Sequence, residues 1–192
     1  GIKGYFVMNK TVEVISEKDW YVAFPLNLDI DELKTWAHSI MEEQGPGSPT
    51  VTGEHDTGVW WMAPTPQILK TRLQEYCELN DEWQTSIWEF GNGGILNKHS
   101  DGEGRGTTFI MILEGRFEIT SYDIKFPDKA LDTYEYGPGQ IFALKNGHRK
   151  FHGGRCLDNY RLALAVYTEH EVDVFRDHSE HFVKWWGKKQ DE

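Results

Sequence analysis

Residues 97 to 108 read NKHSDGEGRGTT, and they set His99 and Asp101 two positions apart. On an extended chain alternate side chains share a face, so an imidazole and a carboxylate at i and i+2 can aim at one point. Those two ligand types suit Fe(II), Mn(II) and similar ions. A second imidazole would complete a facial set that leaves the remaining positions open. Two histidines follow at a usable distance, His148 and His152, in the segment KNGHRKFHGGRCLDNYRLALAVY. Nine positions after His152 stands Arg161, the first long cation of an apolar strand pattern. A cation inside a β-core is costly unless it meets an anion, and a guanidinium grips a carboxylate through two parallel hydrogen bonds. Pairing of Arg161 with one of the many acids of the chain is the alternative.

The elements that must position these groups can be read from periodicity and punctuation. Residues 11 to 28 look extended. LDIDELKTWAHSIMEEQG has an acidic first turn, a capping Asp29 or Asp31, and one apolar face made of Leu33, Trp36, Ala37 and Ile40, which predicts a helix ended by Gly45 and Pro46. PTPQILKTRLQEYCELN predicts a second helix with Pro66 in its first turn. From residue 83 the pattern changes to short strands: WQTSIWEF, TTFIMILEG, RFEITSYDI, QIFALK and YRLALAVYT. HEVDVFRDHSEHFVKWWG predicts a closing helix, on which His178 and His181 read as a solvated face. The fold class expected is mainly β with flanking helices, around a jelly roll of cupin-like, double-stranded β-helix type. One domain is expected: supporting strands and two helices over 1–82, the β core over 83–169 and a terminal helix over 170–192.

WEFGNGGILNKHSDGEGRGTTFIMIL followed by HGGRCLDNYRLALAVY resembles the core of the Fe(II)/2-oxoglutarate-dependent oxygenases, and the nearest branch is the prolyl-hydroxylase-like one. The likeness lies in an aromatic residue, a Gly-rich turn, the HxD pair, a nearby Arg-x-x-Thr strand, and a distal His with an Arg about nine positions on. It covers residues 86 to 168. It implies a double-stranded β-helix with Fe(II) held by His99, Asp101 and His152, and 2-oxoglutarate anchored by Arg161. The implied activity is an O2-dependent hydroxylation of a substrate C–H, coupled to decarboxylation of 2-oxoglutarate to succinate. One departure stands out. The Tyr that often shares the co-substrate carboxylate is missing from TTFIMIL, and Thr108 is the candidate to replace it. Trp60, Trp61 and Arg105 are candidate substrate contacts, although Arg105 can equally brace the HxD carboxylate. Segments 45–58, 91–94 and 102–106 are candidate lids.

Two other readings stay open. PGQIFALKNGH and FIMILEGRFEI resemble cupin motifs, which would make His148 the distal ligand of a metalloprotein that does not use 2-oxoglutarate. A metal-free jelly roll could instead bind a sugar or peptide through the chain's eight tryptophans.

Bulk properties narrow the partners. A net charge of −11 repels phosphate backbones, so nucleic acid is an unexpected partner and a small molecule or peptide the expected one. No apolar run approaches the ~20 residues of a membrane span, and the first residues carry no signal-peptide pattern. Cys77 and Cys156 are too isolated for a disulfide framework, which suits a reducing cytoplasm.

Overall fold

The structure is a computed structural model. It describes residues 13–49, 58–75, 83–91, 94–99, 107–123, 125–126, 128–145 and 151–167. The expected terminal helix, Tyr76, Cys77, Asp101, Arg105 and His148 lie outside the described residues.

Twelve strands and two helices are present among the described residues. In chain order they are β1 (Ser16–Lys18), β2 (Tyr21–Pro25), α1 (Ile30–Gln44), β3 (Ser48–Pro49), β4 (Val59–Pro64), α2 (Gln67–Leu73), β5 (Gln84–Phe90), β6 (Ile95–His99), β7 (Thr107–Glu114), β8 (Phe117–Tyr122), β9 (Ala130–Tyr136), β10 (Gln140–Lys145), β11 (Phe151–Cys156) and β12 (Arg161–Tyr167). They form an eight-stranded sheet, β1-β2-β10-β7-β12-β5-β4-β3, and a four-stranded sheet, β6-β11-β8-β9. From β5 onward the chain steps from one sheet to the other at each of four short connections: β5 to β6, β7 to β8, β9 to β10 and β11 to β12. All pairings are antiparallel. This is a double-stranded β-helix.

Strand periodicity explains the two cores. On β12 the residues Leu162, Leu164 and Val166 face the helices, while Arg161, Ala163, Ala165 and Tyr167 face the smaller sheet. The outer layer of the large sheet packs against Leu33 and Ala37 of α1 and Leu69 and Leu73 of α2. Asp29 starts α1 by accepting hydrogen bonds from the N–H groups of Asp31 and Glu32, and Gly45 ends it with φ of 76°. The short α2 is tied down by Arg72, whose guanidinium donates to the carbonyls of Pro25 (2.6 Å), the last residue of β2, and of Leu26 (2.8 Å) just after it.

Between the sheets one half is solid. Tyr21, Tyr134, Tyr136 and Phe142 stack there with ring centroids 4.7 to 5.6 Å apart. The other half, between β12–β5–β4 and β6–β11, stays open, with Ala163, Ala165 and Ser86 among the residues that line it. The turn at Gly115 lets β7 cross to β8. Its φ of 83° and the press of the Tyr160 carbonyl against its Cα exclude a side chain.

Candidate functional site

The open half of the barrel is a pocket of about 390 Å³. Its large-sheet wall is a grid set by strand register. Phe90 pairs with Arg161, Trp88 with Ala163 and Ser86 with Ala165. Trp60 and Met62 extend these rows onto β4, and Ile110 and Thr108 extend them onto β7. Leu96, His99 and His152 close the pocket from the small sheet.

His99 ends β6 and lies directly across from His152 on β11. Their ring centroids are 4.4 Å apart. His99 Nδ1 is 2.7 Å from the Asn97 carbonyl oxygen. A carbonyl can only accept, so Nδ1 donates, and in the neutral ring the lone pair is then on Nε2. His152 is buried, 4% exposed. Two adjacent imidazoles, one with its tautomer fixed by a backbone partner, form a donor set suited to a borderline divalent metal. Among the described residues no third His, Cys, Asp or Glu joins them; Asp101 lies outside those residues.

The glycines after His152 let β11 pack closely against both of its neighbours. A Cβ on Gly153 would come within 2.9 Å of the Leu96 carbonyl oxygen on β6. A Cβ on Gly154 would collide with the Glu118 carbonyl and the Phe117 ring on β8. The pair therefore allows β11 to lie tightly between two neighbours, across a register shift between His152 and Gly154.

Arg161 opens β12 at the end of the barrel where the four connections cross. From His152 to Cys156 the chain descends about 13 Å along β11, then turns back into Arg161. The guanidinium sits 3.8 Å from the centre of the Phe117 ring and 5.2 Å from that of Phe90. It is 4% exposed, and Nε has no hydrogen-bond partner. No ion pair or hydrogen bond of this side chain is formed within the described residues. Burial pushes its pKa down, and the nearby Tyr136, Cys156 and Tyr167 offset this in part. Aromatic faces soften the desolvation of a cation but do not replace an anion.

The remaining sequence candidates divide. Thr108 is buried on β7, in the pocket wall. Trp60 also lines the pocket. Trp61, its neighbour, points to the opposite face, where its indole N–H donates to the Gly45 carbonyl at 2.8 Å and its ring packs in the helix-side core. Trp61 is thus a packing residue, because successive strand residues face opposite ways. Arg105 lies outside the described residues.

Sequence reasoning missed Trp88, which stands beside Trp60 in the pocket, and Tyr136. The latter reaches the Arg161 end of the core from β9, with a hydroxyl that is buried and without a hydrogen-bond partner among the described residues. Burial raises its pKa and the charge of Arg161 opposes the rise. The alternation of ALDTYEY was the available signal for that strand.

No protein-family model matches the chain, and no curated protein matches it in sequence. Solved structures do share its fold. OsALKBH1 is similar at TM-score 0.61 and 14% identity, over 80% of this chain and 100% of that one. A Pseudomonas putida prolyl-4-hydroxylase is similar at TM-score 0.56 and 13% identity, over 78% of this chain and 92% of that one. At such identities the likeness establishes the fold.

Proposed function

We propose that this chain, as a single domain, is an Fe(II)- and 2-oxoglutarate-dependent dioxygenase that hydroxylates a small molecule or a peptide residue. The observation that carries the reading is the buried guanidinium of Arg161, which forms no ion pair among the described residues, in the same pocket as the His99–His152 pair. A dicarboxylate chelating a metal at the histidines would bring its far carboxylate toward Arg161. The shared fold with a prolyl-4-hydroxylase supports the reading at the level of architecture. The prolyl-hydroxylase branch is one option within it.

In this reading His99, Asp101 and His152 hold the iron, which when bound supplies oxygen activation and keto-acid decarboxylation. Arg161 orients the co-substrate by gripping its far carboxylate, with Thr108 as an adjacent polar group. Asn97 keeps the His99 tautomer correct through its backbone carbonyl. The apolar walls exclude water from the reacting centre. A location in the cytoplasm is compatible with this chemistry; among the described residues no helix is long and apolar enough to cross a membrane.

The ligand set is tested by metal content. Purified His99→Ala, Asp101→Ala and His152→Ala variants should each lose at least about tenfold in Fe(II) affinity, with folding checked by circular dichroism. His148→Ala should retain it. Loss at His148 with retention at His152 would replace this ligand set with a cupin-like one.

A further inference from the structure

Besides His99, His152 and Arg161, the pocket holds a slot lined by residues from β4, β5 and β12. Its floor is made of the smallest side chains in the grid, Ala163, Ala165 and Ser86. Its side wall is aromatic. Trp60 and Trp88 form a cross-strand pair with centroids 6.2 Å apart and planes 31° apart. Phe90 continues the wall, 6.3 Å from Trp88 and nearly parallel to it at 12°. Both tryptophans are only half-buried, so flat apolar faces meet open space inside a pocket. Leu96 faces them from the small sheet.

We propose that this slot binds an uncharged, apolar aromatic ring, and that the ring belongs to the primary substrate. The binding claim stands on the slot itself; the ring's role as substrate rests on the oxygenase reading. Three features select this class. Among the described residues no Asp or Glu lines the pocket, and an ammonium group would share the space with the Arg161 cation. A carboxylate would be drawn out of the slot toward Arg161. Trp88 and Phe90 are nearly parallel and Trp60 is tilted 31° from Trp88; aromatic faces so placed favour a flat partner in offset contact over a puckered ring or a branched chain of equal size.

The probes are benzyl alcohol, cyclohexylmethanol and benzylammonium, titrated into the metal-free protein while the indole N–H resonances of Trp60 and Trp88 are followed. Benzyl alcohol should shift both resonances and bind at least about threefold more tightly than cyclohexylmethanol. Benzylammonium should bind more weakly than benzyl alcohol. Ala165→Leu, which fills the slot, should weaken benzyl alcohol at least about tenfold. Trp88→Leu, which keeps an apolar side chain but removes the flat face, should erase the preference for the planar ring. Equal affinity for the two alcohols, tighter binding of the ammonium, or unchanged binding in Ala165→Leu would overturn the assignment. The same sample is titrated with 2-oxoglutarate after Fe(II) loading under anaerobic conditions. Absence of 2-oxoglutarate binding with the ring bound would sink the oxygenase reading and leave the slot. The reverse result would sink the slot alone.

Discussion

Arg161 concentrates the tension between stability and function in one side chain. A buried guanidinium that rests on aromatic faces, with no ion pair among the described residues, is destabilising relative to an apolar side chain of similar length. Arg161→Met should therefore raise the stability of the ligand-free protein, by roughly 1–3 kcal/mol in denaturant unfolding, while removing the affinity for a dicarboxylate. A fall in stability would mean that the cation already has an anionic partner in the fold. Gly154 is the converse case, a residue whose lack of a side chain is structural. Gly154→Ala forces a methyl group into the Glu118 carbonyl and the Phe117 ring, and Phe117 is the ring against which Arg161 rests. The expected cost is at least about 2 kcal/mol, measured by chemical unfolding. A neutral effect would show that β8 and β11 can separate without penalty.

At the scale of elements, the large sheet is braced on its outer face by α1. Leu33 is fully buried there, and Leu33→Ala should cost about 2–5 kcal/mol without moving the pocket, since the sheet lies between. A loss below 1 kcal/mol, roughly the scale of a surface change, would show that the helix is not a structural support. This helix was legible in the sequence because its cap, acidic first turn and apolar stripe all agree. The aliphatic strands β5, β7, β10 and β12 were legible for the same reason. Those that escaped each break a strand signal in a physical way. In β11 two glycines required by close neighbours hide the pattern. β9 is an edge strand, half exposed and charged: its inward Tyr134 and Tyr136 alternate with exposed Thr133 and Glu135, and the next inward position is Asp132, which accepts a hydrogen bond from the Trp20 indole. β6 is an edge strand too, with only partly buried residues. VWWMAP reads as a uniformly apolar run, although alternation sends Trp60 into the pocket and Trp61 into the helix layer. Of the candidate site, His99, His152 and Arg161 were singled out by residue type and spacing and Thr108 by the family resemblance, and the fold places all four in the lining of one pocket. Trp88 and Tyr136 were not legible. Their placement depends on cross-strand register, which a single strand's sequence does not encode.

For the whole molecule, the central fact is asymmetry within one barrel. Stacked aromatic rings fill the half under β2 and β10, and alanines leave the half under β12 open. A protein with a net charge of −11 would keep its one described buried guanidinium in that opening at a loss of stability, and binding of an anion would recover the loss. The overall charge opposes the approach of a dianion, so its association should quicken as salt screens the surface. The most direct test is an anaerobic titration of the Fe(II)-loaded protein with 2-oxoglutarate, following the visible charge-transfer absorption of the keto-acid chelate. The expected result is a saturable band in the unmodified protein and at least about a tenfold weaker apparent affinity in Arg161→Met. Bound iron with no band, or a band equally strong without Arg161, would contradict the assignment.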